Sequence, residues 1–215
     1  MTRQVARQHA SREAGGAAVG TLSPAPVTDL ARLAATADAL GLAGLAVPGV
    51  RMFGTRVCPV LTVDAAAHAR RRQAGCAAPM LDADTLAVWE WPQSAAVCPP
   101  SVVRLRGVLV PAARPPRPDR PGRPDPSWAT AAATALRWAG FAATALLLPT
   151  DDASELCRLE CGYAGIGLAA VAGADVRLVQ PGRPGRSEKA RRRTLDRWVE
   201  EQLYGRLLSA GVLAT

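Results

Sequence analysis

SWATAAATALRWAGF (residues 127–141), ATALLLP (143–149), DDASELCRLECGYAGIG (151–167) and LAAVAGADVRLVQPG (168–182) follow one another almost without a break. The first block repeats small and apolar residues at helical spacing, with Ala132, Ala135, Leu136 and Ala139 on its expected packing face. The second is nearly all apolar and has the length of a strand covered on both sides. The third opens on Asp151 and Asp152, which suit a helix N-terminus. It closes on Gly162, Gly165 and Gly167, which stop a helix and turn it into a strand. Leu156, Leu159 and Tyr163 are spaced to face inward from that helix. The fourth block reads as a strand, a turn at Gly173, Ala174 and Asp175, and a hairpin partner or continuation. Helix, strand, helix, strand predicts an α/β fold: a mixed, partly parallel sheet flanked by helices.

Working outward, residues 111–126 (PAARPPRPDRPGRPDP) are the one low-complexity segment. Proline at this density forbids ladder or helix and favours an extended loop or linker. Before it, residues 26–110 read as the first half of the domain. A helix is expected over 28–40, and buried strands over 42–47 and 57–63 around a loop. A short helix over 64–73 carries Asp64 at its start and Arg70, Arg71 and Arg72 at its end, complementing the helix dipole. Strands are expected over 85–91 (TLAVWEW) and 101–110 (SVVRLRGVLV). Alternation on the latter puts Val103, Leu105 and Gly107 on one face and Arg104 and Arg106 on the other. Residues 1–25 are polar and basic and read as a flexible tail. Residues 127–215 form the second half and end in an amphipathic helix over 187–210. There Leu195, Val199, Leu203 and Leu207 recur beside Trp198, with Arg197, Glu200 and Glu201 on the remaining surface.

The chain has 215 residues, 49% of them hydrophobic, enough to bury one core without disulfides or metals. Five irregularly spaced cysteines are not a disulfide framework. The opening MTRQVARQHASREAGG has no apolar leader core, and the longest apolar run, near 139–148, is too short to span a bilayer. The expectation is a cytoplasmic protein with no membrane partner. The net charge of +8 comes almost wholly from arginine, Lys189 being the single lysine. A basic excess points to DNA or RNA, or else reflects composition alone.

Local motifs exclude more than they assign. GYAGIG follows a helix and precedes a strand, the reverse of the order a dinucleotide-binding loop needs. Cys157 and Cys161, at i and i+4, read as buried small hydrophobes. His9 and His68 are the only histidines, and His68 reads as a helix-surface residue. Asp82, Asp84 and Glu90 enter and ride the expected strand TLAVWEW, where carboxylates can hold Mg²⁺.

The order TLAVWEW, SWATAAATALRWAGF, ATALLLP, SELCRLECGYAG, IGLAAV over roughly residues 80–182 resembles the core of the restriction-endonuclease-like PD-(D/E)xK superfamily. The resemblance implies that Glu90 stands for the family glutamate, and Asp84, or an earlier Asp such as Asp64, for the aspartate. The family's lysine position is taken by Pro92, which implies a degenerate nuclease-like core.

Three functional readings follow. The first is a nonenzymatic nucleic-acid-binding or regulatory protein without cofactor, contacting phosphates through Arg70, Arg71, Arg72, Arg183, Arg186, Arg191, Arg192 and Arg193. The second is an Mg²⁺-dependent nuclease using Asp84 and Glu90. The third is a scaffold whose C-terminal helix holds a protein partner through Trp198 and Leu203.

Overall fold

A computed structural model describes residues 30–89, 98–112, 127–148, 153–172, 175–185 and 194–213. The strands are β1 (Leu45–Ala46), β2 (Val50–Met52), β3 (Thr55–Val63), β4 (Val103–Pro111), β5 (Ala143–Leu148), β6 (Gly167–Ala172) and β7 (Asp175–Gln180). They form one seven-stranded sheet in the order β1-β3-β4-β5-β6-β7, with β2 paired to β3 off this path. The pairs β4–β5 and β5–β6 are parallel; the others are antiparallel. Strands from before and after the Arg/Pro-rich segment therefore lie side by side. That segment lies outside the described residues from 113 to 126, as do the N-terminal residues 1–29.

The helices are α1 (Leu30–Ala39), α2 (Ala65–Gln73), α3 (Ala83–Trp89), α4 (Ser127–Trp138), α5 (Glu155–Ala164) and α6 (Thr194–Ser209). One sheet face packs on α1, through Leu33 and Ala37 against Val60, Leu109, Leu147 and Ala169. The other packs on α4, α5 and α6, through Trp138, Cys157, Cys161 and Leu203 against Val57, Val108, Leu146 and Leu168. The fold is thus α/β with a mixed, partly parallel sheet flanked by helices and a C-terminal helix, as expected. Strand β5 alternates its leucines between the two cores, which is why its sequence shows no polar face.

Several local expectations are corrected. Residues 85–89 are helical in α3, not a strand. Asp82 caps that helix: its carboxylate accepts from the Thr85 backbone N (2.8 Å) and hydroxyl (2.5 Å). Those two bonds, the hydroxyl's the larger, hold the Asp82 carboxyl below its usual range. An Asp three residues before Thr is a helix-start signal, and it outweighs the β-favouring Val and Trp that follow. The loop expected between the first two strands contains β2, closed onto β3 by the turn Phe53-Gly54.

The crossover helix α4 turns only part of its expected face to the sheet, and α5 turns a different one. In α4 the expected Ala135 is buried and Ala132 packs against the core, but Ala131 and Trp138 are buried too, while Leu136 and, just past the helix, Ala139 are exposed. The largest side chain takes the core, and its indole N–H donates to the Thr55 hydroxyl at 3.4 Å. In α5, Leu156, Leu159 and Tyr163 are exposed at 57%, 64% and 89%, while Cys157 and Cys161 are fully buried. With its amide oriented to satisfy both groups, Gln180 donates to the Arg158 carbonyl (3.1 Å) and accepts from Gly162 N (2.9 Å), which ties this face of α5 to β7.

Candidate functional site

The arginine triplet of α2 splits. Arg70 and Arg72 are exposed, but Arg71 is 1% exposed. Its guanidinium donates to both Glu201 oxygens (2.8 and 3.0 Å), to the Cys76 carbonyl (3.0 Å) and to the Ala78 carbonyl (2.7 Å). Glu201 also accepts from Met80 N at 3.0 Å and pairs with Arg197 at 2.8 Å. A buried guanidinium with a carboxylate and two carbonyls cannot reach a phosphate, so Arg71 leaves the phosphate-contact set. It clasps α2, the segment after it and α6 together. Glu201, placed on the surface by periodicity, is 2% exposed, and Glu200 is 7% exposed. Glu200 accepts from the Ser101 hydroxyl (2.8 Å) and Leu105 N (3.4 Å).

His68 is buried, not a surface residue. Its Nδ1 lies 3.0 Å from the Tyr204 hydroxyl, which donates to the Ala77 carbonyl at 2.8 Å. The Tyr204 proton is thus committed to the carbonyl, so Nδ1–H is the donor to its oxygen. Burial raises the Tyr204 phenol above its usual range. The cluster is saturated with internal partners and serves to hold the chain in place.

The other assignments divide similarly. Asp84 is exposed in the first turn of α3, and Glu90 lies outside the described residues, as do Arg186, Arg191, Arg192 and Arg193. Among the described residues no group of three or more His, Cys, Asp or Glu could hold a metal ion. Leu203 is 1% exposed inside the core, so it is no anchor for a partner. Trp198 is half-buried, its ring 5.9 Å from that of Phe53. The paired thiols are inert as nucleophiles: burial, then the neighbouring Cys157, pushes Cys161 up to about 12.

What the fold does assemble is a pair of adjoining clefts, of 470 and 400 Å³, at the amino-terminal ends of β5 and β6. The segment 182–185 lies between them. Gly165 caps α5 in the left-handed conformation (φ 74°), and its carbonyl accepts from Arg183 N at 2.8 Å. A Cβ on Gly182 would stand 2.7 Å from Gly167 N, and one on Gly185 would stand 2.5 Å from Ala143 N. Glycine is therefore required for this strap to press onto the sheet. The glycines of GYAGIG serve the same close approach and build no phosphate loop of their own.

Two arginines line the larger cleft. Arg183, exposed, follows Gly182 on the strap and donates to the Tyr163 carbonyl at 3.3 Å. Arg106 comes from β4, where Val60 pairs with Gly107 but Leu61 pairs with Leu105. Arg106 is thus the extra residue of a β-bulge, a device that re-aims a side chain. The bulge also reverses the expected alternation: Gly107 faces Leu42, on the opposite side from Val103 and Leu105. Among the described residues the lining of neither cleft contains a carboxylate. Of the arginines named from sequence as phosphate contacts, Arg183 is the one among the described residues that lies here. Arg106 was visible as part of an exposed arginine row, but nothing in the sequence marks the bulge that aims it.

The carboxyl ends of the three parallel strands lead into residues 113–126, 149–152 and 173–174, outside the described residues. No described helix is long and apolar enough to cross a membrane. Comparison with protein-family models, curated proteins and solved structures finds no match to this chain.

Proposed function

We propose that this protein binds nucleic acid without cleaving it, through the clefts at the amino-terminal ends of β5 and β6. One observation carries the reading: the charged side chains among the described lining residues of the two clefts are Arg106 and Arg183. A cleft with one sign of charge and low-dielectric walls concentrates the opposite charge. Two arginines fixed on a bulge and a glycine-seated strap offer forked donors to successive phosphates. From Gly185 the sequence continues into RSEKARRR (186–193), which adds basic residues next to the cleft in sequence.

The binding works by neutralising phosphates and releasing their counterions, so affinity falls linearly on a log–log plot against salt. The test is fluorescence anisotropy with labelled duplex and single-stranded DNA between about 50 and 200 mM salt, with and without Mg²⁺. Replacing Arg106 and Arg183 together by alanine should lower the slope by roughly 1.4 to 1.8. No binding at low salt, or an unchanged slope in the double variant, overturns the proposal. Cleavage that requires Mg²⁺ would replace it with the nuclease reading on Asp84 and Glu90.

A further inference from the structure

The turn between β2 and β3 holds a residue that does not suit it. Met52 pairs with Thr55, leaving Phe53 and Gly54 as a two-residue loop with φ of 50° and 72°. Such turns take Asn, Asp or Gly at the first position, because both central residues have positive φ. Phe53 is the sole non-glycine residue with positive φ among those described. Strain of this kind in a bulky side chain persists where surrounding structure holds it, and it clusters at ligand sites.

The surroundings are aromatic. The Phe53 ring stacks on Phe141, with centroids 5.7 Å apart and planes 22° apart. It is tilted against Trp138 at 5.2 Å and Trp198 at 5.9 Å. Trp138 is fully buried, whereas Phe53 is 40% exposed. Phe141 in turn lines the larger cleft together with Arg106 and Arg183. An aromatic surface therefore runs from the hairpin tip to the edge of the arginine cleft.

We infer that the ligand of this cleft is a single strand, with a base stacked on Phe53 while neighbouring phosphates meet Arg106 and Arg183. This rests on the nucleic-acid reading above and adds the strand class to it. A duplex covers the faces of its bases by its own stacking, so an exposed aromatic ring offers it little. A single strand presents those faces, and aromatic platforms beside a basic groove are how single strands are held without sequence readout. The turn itself does not need phenylalanine: Phe53→Asn would create the favoured Asn-Gly turn. Phe53→Leu keeps an apolar cover over Trp138 but removes the aromatic face.

The experiment compares wild type, F53N and F53L for binding to a labelled oligothymidylate of roughly twelve nucleotides and to a duplex of the same length. Thermal unfolding of each protein is recorded alongside. Wild type should prefer the single strand. Both variants should lose about ten-fold or more on it, with duplex affinity and the salt slope unchanged. Photo-crosslinking of the same strand to the wild-type protein should place an adduct on the peptide containing Phe53, a readout independent of how the variants fold. Unchanged single-strand affinity in a folded variant, a preference for duplex, or adducts only elsewhere overturns the platform while leaving the cleft reading intact. Absence of binding to either form brings down both.

Discussion

Arg71 and the cleft pair Arg106 and Arg183 share a side chain and have opposite fates. Arg71 is 1% exposed and held by Glu201 and two backbone carbonyls. Arg106 and Arg183 are exposed, at the rim of a cleft whose described lining contains no carboxylate. The difference does not lie in the arginines. It lies in whether the fold buries them against a carboxylate, and Glu201 is 130 residues away from Arg71 in the chain. A positive charge in the sequence becomes structural where a distant acid buries it, and stays within reach of an anion where the fold leaves it exposed.

The most severe way to break this comparison is to remove one half of the buried pair. Arg71→Ala leaves Glu201 with Arg197 and the Met80 N–H but without its bidentate partner, and Glu201→Ala leaves two guanidiniums without their shared acceptor. Removing one partner of a buried pair costs up to about 3–5 kcal/mol, and the loss is larger for Glu201→Ala, which strands the buried Arg71 charge, than for Arg71→Ala, where Arg197 still pairs with Glu201. Urea unfolding should show a loss for both variants, nearest that size for Glu201→Ala. A loss below about 1 kcal/mol would mean the clasp is not the holding element, and Arg71 would return to the set of candidate phosphate contacts.

A smaller effect is expected where the strap meets the sheet. Gly182→Ala puts a Cβ against Gly167 N, a backbone atom that cannot rotate away. Overpacking of this kind costs about 1–3 kcal/mol. The strap should lift, so the variant should lose both stability and the Arg183 contribution to the salt slope. Wild-type stability with a wild-type slope would show that Arg183 is not positioned by this close approach.

How much of this was legible follows from the range of each interaction. Strand β5 could be read directly and β7 as a hairpin partner or continuation of β6, since their patterns are local. The cap at Asp64 was equally local, its carboxylate accepting from Ala67 N at 2.8 Å. Part of the face of α4 and the face of α5 were not, because a bulky Trp138 takes the core in the first and the Gln180 amide, contributed by another strand, ties the second. Residues 85–89 looked like a strand because the β-favouring residues were weighed without the cap at Asp82. At the candidate site, Arg183 was readable as charge beside glycines. Arg106 depended on a register shift with β3, and Phe53 on a positive φ, and neither leaves a mark in a single sequence. Arg71 looked like its neighbours Arg70 and Arg72 for the same reason: its partner is remote.

The mildest test is also the one that most sharpens the contrast. Arg106→Ala and Arg183→Ala together should change stability by no more than about 0.5 kcal/mol, the usual range for exposed substitutions. The Arg183 guanidinium donates a 3.3 Å bond to the exposed Tyr163 carbonyl, and water can replace that bond. Two like charges facing one cleft also repel, so a slight gain in urea midpoint is the favoured direction. Residues kept for a ligand carry this signature: their removal leaves the fold alone or helps it, while binding weakens. If the double variant instead lost more than about 1 kcal/mol, the cleft arginines would be holding the strap in place. They would then belong with Arg71, as structural cations.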